Sequence, residues 1–306
     1  MNGPAALALD VGGTKVAAAL VDAQGAVTRR REVPAPSAAA DDAEPMWSAV
    51  AGLLDEVLDG YDPTAVGVGC GGPLRLDRGE VSPVNIPAWR AFPLLARVES
   101  RFPGAAVRLH NDAVAMALGE HWRGAGQGTR SFMGVVVSTG VGAGVVLDGR
   151  VLGGRTGNAG HLGHVVVDAE GPPCGCGGVG CLEAMARGPA VVRWALESGW
   201  SSSVERPDGR SLVASAQAGE TTAQAAIDRA GRALGIALAG AVSLFELERV
   251  SVGGGFAVGA GELLLGPMRD SFARHARMDY AAACEIVPAA LGNDAGLIGA
   301  AALVLR

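Results

Sequence analysis

The sequence predicts a two-domain α/β protein in which one unit, strand–glycine turn–strand, occurs twice and faces itself across a cleft. Three observations predict this. A glycine turn at 10–14 lies between two short apolar runs, and a second at 138–144 lies between two more. The chain has 306 residues, 49% hydrophobic and 18% charged, which is enough for two medium domains around a cleft. Its 47 glycines show no G-X-Y period and cluster with β-branched and small apolar residues, as tight strand-end turns near a ligand would.

The elements follow in order. Residues 6–9 read as a strand running into Asp10-Val11-Gly12-Gly13-Thr14-Lys15. Residues 16–21 form a second strand closed by a turn at 22–25, and 26–33 a third. A loop is expected over 34–42. Apolar positions at Met46, Trp47, Val50, Leu53, Leu54, Val57 and Leu58 have helical spacing over 44–59. A short buried strand at 65–68 ends in Gly69-Cys70-Gly71-Gly72-Pro73, and another at 107–109 runs into His110-Asn111-Asp112. A helix is expected over 113–122, with Asn111-Asp112 as an ordinary cap. Residues 133–137 and 145–147 are strands around the second glycine turn, 222–246 a long helix, and 249–252 a strand ending in Gly253-Gly254-Gly255. An apolar helix closes the chain to 305, with Asp294 as its expected cap. The expected domains are 1–112, joined by the C-terminal helix 294–306, and 113–293.

Composition excludes some classes. The net charge is −6 and no long basic run occurs, so no nucleic-acid surface is expected. The N-terminus lacks a basic region followed by a long apolar core, so a cytoplasmic location without a signal peptide is expected. The longest apolar stretch, 132–147, is broken by Ser138, Thr139 and four glycines and does not read as a membrane span.

Glycine turns at strand ends suit phosphate, because successive backbone amides converge on an anion where no side chain intervenes. No G-x-x-x-x-G-K-[ST] sequence is present, so neither turn is a P-loop. Asp10 closes a buried strand just before the first turn. It reads either as a turn-forming residue or as a carboxylate that helps hold Mg²⁺ through water. Five cysteines, three of them within eight residues, suggest a metal before disulfides. His164-x9-Cys174-x-Cys176-x4-Cys181 supplies a full tetrahedral zinc set on a glycine-rich loop, 164–181. Four protein ligands leave no open position, so the expected zinc is structural.

Asp10-Val11-Gly12-Gly13-Thr14-Lys15, Asn111-Asp112-Ala113, Gly160-His161-Leu162-Gly163-His164 and Cys174-Gly-Cys-Gly-x-x-Gly-Cys181 together resemble the ROK family of sugar kinases and repressors, in the family's order. The resemblance implies the actin/hexokinase-like fold of duplicated ribonuclease-H-like domains, with ATP and a hexose in the cleft and a homodimer or homotetramer as the assembly. It implies Asp112 as general base for the sugar hydroxyl. Gly72, Asn85 in an Asn-x-x-x-Trp segment, Asn111, His161, His164 and Glu183 are implied on the sugar side. Gly12, Gly13, Thr14, Lys15, Thr139, Gly140, Gly254 and Gly255 are implied on the nucleotide side, with Asp10. The family's repressors carry a DNA-binding segment before the first glycine motif; here that motif begins at residue 10.

Two departures matter. Many members have Glu where this chain has His161, and a His there resembles the N-acetylmannosamine kinase branch and actinobacterial-type glucokinase-like members. Gly71-Gly72-Pro73 replaces the commoner Pro-Gly-Pro. The expectation is therefore ATP-dependent phosphorylation of glucose at the 6-hydroxyl, with N-acetylmannosamine kinase next. A sugar-binding regulator without catalysis is a third reading. A polyphosphate donor is a further possibility, for which the acidic chain shows no basic track.

Overall fold

The computed structural model describes residues 5–36 and 42–306, so residues 37–41 of the loop expected at 34–42 lie outside the described residues. The chain forms two compact units. One comprises Met1–Gly128, Gly144–Gly160 and Ala290–Arg306; the other comprises Thr129–Ala143 and His161–Ala289.

In the first unit, β1 (Ala5–Val11), β2 (Lys15–Asp22) and β3 (Val27–Pro34) form an antiparallel meander, with Asp10 opposite Ala17. Then come α1 (Glu44–Leu58), β4 (Ala65–Cys70), a small hairpin of β5 (Leu74–Arg75) and β6 (Glu80–Val81), α2 (Leu94–Arg101), β7 (Ala106–Asn111) and α3 (Asp112–Arg123). β4 runs parallel to β1 and β7 parallel to β4, giving the order β3-β2-β1-β4-β7. The parallel strands therefore end together at Asp10–Val11, Cys70 and Asn111, and ligands of such sheets gather at strand carboxyl ends.

The second sheet has the same plan. β8 (Ser131–Val137), β9 (Val141–Leu147) and β10 (Arg150–Val151) come first. They are followed by α4 (Leu182–Ala186), α5 (Gly188–Glu197), α6 (Gly209–Gln217), α7 (Thr221–Phe245), β11 (Arg249–Gly253), α8 (Gly255–Ala260), α9 (Glu262–His275), α10 (Asp279–Ala282), β12 (Glu285–Pro288) and α11 (Ala295–Leu305). Its order is β10-β9-β8-β11-β12, with β8, β11 and β12 parallel. The two sheets share one topology, the duplication that the repeated glycine turn predicted, in the actin/hexokinase-like fold that the resemblance implied.

The core of the first unit is aliphatic: Leu7, Leu9, Val16, Leu20, Met46, Leu53, Leu54 and Val68 are buried with Trp89. α11 is apolar on nearly every side and packs on α3, β1 and β4, so α3 lies with the first unit rather than beyond a boundary at residue 112. In the second unit α7 packs against α4, α5, α6 and α9.

One expected cap fails. Asp294 makes no capping bond to α11, because it sits at the end of a 3₁₀ turn, Gly292–Asp294, with helical backbone angles, and its carboxylate accepts from Arg30 Nε at 2.9 Å. Asn111 does cap. Its Oδ1 accepts from Ala113 N at 3.0 Å and Val114 N at 3.4 Å.

Candidate active site

The first unit gathers two acidic groups at the ends of parallel strands. Asp10 pairs in register with Gly69, and Gly69 with His110, two residues before Asp112. A side chain on Gly69 would come within 3.6 Å of Asp10 Oδ1 and of Asp112 Cα, so glycine there keeps the space between the carboxylates open. Asp112 is the first residue of α3 and its Oδ1 accepts from Ala113 N at 2.8 Å. A carboxylate at a helix N-terminus is favoured by the free amides and the dipole.

Asp10 retains partial exposure, yet protein is packed closely around its carboxyl. That desolvation leads in pushing its pKa from 3.8 to about 7, the charge of Asp112 adds to it, and Lys15 opposes it. The carboxyl makes no hydrogen bond or ion pair among the described residues, and a Cβ on Gly296 of α11 would lie 2.5 Å from its Oδ2. A desolvated, unpartnered carboxylate of this kind suits a cation held through water.

Around this pair stand the other expected residues of the unit. The Gly12 N–H donates to Lys15 O at 3.0 Å and closes the first turn, leaving Gly13, Thr14 and Lys15 exposed. A Cβ on Gly13 would lie 2.3 Å from Asn85 Cβ, so Asn85 is brought against the glycine turn. Gly72 O accepts from Val84 N at 3.2 Å, which ties Gly72 to the Asn85 segment. Lys15 is the only lysine of the chain and pairs with Glu32 at 3.3 Å on the surface. Asn111 is buried with its Oδ1 engaged in the cap; its Nδ2 lies 3.5 Å from Cys70 O. His110, buried beneath, is pushed down to about 4 by desolvation, and its Nδ1 accepts from Asn111 N at 2.8 Å.

The second unit gathers the rest. The turn after β8 places Thr139 at the surface and Gly140 beside Glu183, whose Oε2 accepts from Val141 N at 3.0 Å. Gly254 has φ +93°, and a Cβ there would meet Val137 O at 2.6 Å, so the third glycine turn closes tightly on the end of β8. Leu162–His164 forms one 3₁₀ turn, with the rings of His161 and His164 6.1 Å apart.

The predicted metal set comes together. The ligand atoms of His164, Cys174, Cys176 and Cys181 all lie within 4.8 Å of one another. His164 Nδ1 is 3.8 Å from Cys174 Sγ, and Cys176 Sγ is 3.7 Å from Cys181 Sγ. A tetrahedral zinc with bonds of about 2.3 Å to sulfur sets its sulfurs about 3.8 Å apart, so the donor set fits that ion. Gly180, at φ +71°, sits where a Cβ would be 1.6 Å from Asp168 O, so this loop admits only glycine there. The Gly178 amide leads in holding the Cys176 thiol below its usual range, whereas burial leads in pushing Cys181 up to about 12.

One residue of consequence has no sequence motif. Glu120 of α3 is fully buried and takes backbone donors from Ala125 at 2.8 Å, Ala290 at 3.0 Å to both oxygens and Leu291 at 2.8 Å. It ties the end of α3 to the chain entering α11. A lone Glu on an apolar helix was the available signal, but two of its three partners, Ala290 and Leu291, lie about 170 residues away.

The profile of the family described as ROK family matches residues 6–306. A glucokinase of Thermotoga maritima is 36% identical over 97% of this chain and 96% of its own length. An N-acetylmannosamine kinase of Citrobacter koseri is 34% identical over 97% of each. Among solved structures, the ROK hexokinase of Thermus thermophilus superposes with TM-score 0.85 at 39% identity, covering 98% of this chain and 97% of its own. A ROK family glucokinase of Streptomyces griseus, in complex with glucose and AMPPNP, superposes with TM-score 0.84 at 34% identity, covering 98% and 99%.

Proposed function

The chain belongs to the ROK family, and from that membership we propose that it is a glucokinase, moving the γ-phosphoryl group of ATP to the 6-hydroxyl of glucose. The observation that carries this reading is the 36% identity to the Thermotoga maritima glucokinase along 97% of the chain. The first unit's geometry supports it. Asp112, at a strand–helix junction with its carboxylate held by Ala113 N, accepts the proton as the sugar oxygen attacks phosphorus. Phosphoryl transfer requires little covalent chemistry from the protein, so orientation and charge do the rest.

Gly72, Asn85, Asn111, His161 and Glu183 read the sugar's hydroxyls, with His164 supporting them through the metal loop. Asn111 does so through Nδ2, since its Oδ1 is used in capping. Gly12, Gly13, Thr14, Lys15, Thr139, Gly140, Gly254 and Gly255 take the nucleotide. Asp10 would hold Mg²⁺, which when bound neutralises phosphate charge and favours the ionised carboxylate. Zinc in the His164, Cys174, Cys176, Cys181 set is structural. No helix among the described residues is long and apolar enough to cross a membrane, and the same reading makes the enzyme a cytoplasmic homodimer or homotetramer.

His161 and the 34% identity to the Citrobacter koseri enzyme favour N-acetylmannosamine as a second substrate reading. A coupled ADP-release assay over glucose, mannose, N-acetylglucosamine and N-acetylmannosamine tests both. Highest kcat/KM with glucose is expected. Highest kcat/KM with N-acetylmannosamine moves the assignment to the second reading, and no ADP release with any hexose removes the kinase.

A further inference from the structure

We propose that Arg187 grips the phosphate chain of the nucleotide, as an additional cation of the second unit's glycine turns. The proposal rests on the nucleotide reading of those turns given above.

Arg187 stands alone between α4 and α5, with extended backbone at φ −65° and ψ 144°. It is half-buried, and its Nε is shut off from solvent without any hydrogen-bond partner. No ion pair or hydrogen bond from its guanidinium occurs among the described residues. A desolvated guanidinium nitrogen left unpaired is costly, and a buried polar group of this kind calls for a partner that water, an ion or a ligand can supply. Arg cannot shed the cost by deprotonating.

Its position says which ligand. The Arg187 N–H donates to Glu183 O at 3.3 Å, and Glu183 holds Val141 N at the second glycine turn. The next residue, Gly188, donates to Ser138 O at 2.8 Å and so stitches the start of α5 to that turn. A Cβ on Gly255 would lie 3.7 Å from Ser138 Oγ, and a Cβ on Gly188 would lie 3.5 Å from the Phe256 ring. Ser138, Gly188, Gly255 and Phe256 thus converge at one place, with Arg187 at its edge. The turns offer neutral backbone amides; a planar guanidinium with several donors adds the charge that a polyanion needs.

The test uses the full chain and separates phosphate from base. Dissociation constants of ATP, ADP and adenosine are measured calorimetrically for the wild type and Arg187→Ala, with sugar KM and kcat alongside. The expected result is about 10- to 100-fold weaker ATP and ADP binding, the usual weight of a charge-assisted contact, with adenosine binding unchanged. Weaker binding of all three ligands by one factor, or unchanged ATP binding, overturns the proposal. Arg187→Gln, which keeps the stem and removes the charge, replaces the alanine variant if that variant fails to fold, and is read by the same outcomes. Failure of the kinase reading looks different: the wild type would bind ATP with this Arg187 dependence yet release no ADP with any hexose.

Discussion

Replacing Glu120 tests whether a buried structural carboxylate holds the site in place. Its two oxygens serve three backbone N–H groups, with Ala125 on Oε2, Leu291 on Oε1 and Ala290 shared. In Glu120→Gln the amide can turn either way, but one N–H must then face an NH₂ donor. Losing that bond and creating a buried donor–donor contact costs roughly 2–4 kcal/mol. Glu120→Ala orphans all three donors and costs roughly 3–6 kcal/mol, a large part of the 5–15 kcal/mol typical of a domain. Activity should fall as well, because the freed segment leads directly into α11. In α11 a Cβ on Gly296 would lie 2.5 Å from Asp10 Oδ2, and one on Gly299 would lie 1.6 Å from Ala115 O of α3. A looser α11 therefore displaces Asp10 and the start of α3 together. Urea unfolding followed by circular dichroism gives the stability, and the coupled ADP assay gives kcat. If Glu120→Gln unfolds at the wild-type urea midpoint, the reasoning is wrong.

Further outcomes follow from the same geometry. Asp112→Asn keeps size and hydrogen bonding but cannot take a proton, so kcat should fall about 10²–10⁴-fold with sugar binding retained; near-normal kcat removes Asp112 from the mechanism. Metal analysis should find one zinc per chain, and Cys176→Ser should lose it along with activity, since His161 and Glu183 flank the loop; a zinc-free native protein purified without chelator contradicts this. Asp10, raised to about 7, keeps its proton in the folded chain while the unfolded chain releases it near 3.8. Stability without Mg²⁺ should therefore fall as pH rises from about 4 to 7, by about 4 kcal/mol at most from this group, and Asp10→Asn should remove that part of the slope; identical slopes refute it. His161→Glu should change the ratio of kcat/KM between glucose and N-acetylmannosamine by roughly 1.5–3 kcal/mol, whereas an equal effect on both sugars makes His161 structural.

By itself the sequence determined the features that are local or repeated. The two glycine turns revealed the duplicated sheet, because each lies between two short apolar runs and the same strand–turn–strand unit opens both sheets. The gathering of one histidine and three cysteines was readable because all four fall within one loop of eighteen residues, 164–181, and need no distant partner. Asn111 as a cap was readable for the same reason, since the amides that donate to it are two and three residues away. Only the tertiary structure decided what depends on distant strands. Asp10 draws its raised pKa first from the burial of its carboxyl by packed elements and then from the charge of Asp112, about a hundred residues along, and Gly69 leaves the space between the two open. Asp294 looked like a helix cap, yet Arg30 of β3 takes its carboxylate and the chain enters α11 through a 3₁₀ turn. Glu120 meets Ala290 and Leu291, and Arg187 keeps a buried nitrogen with no hydrogen-bond partner among the described residues. Burial and pairing are properties of packed elements, and no local pattern in a sequence encodes which distant backbone will lie against a given side chain.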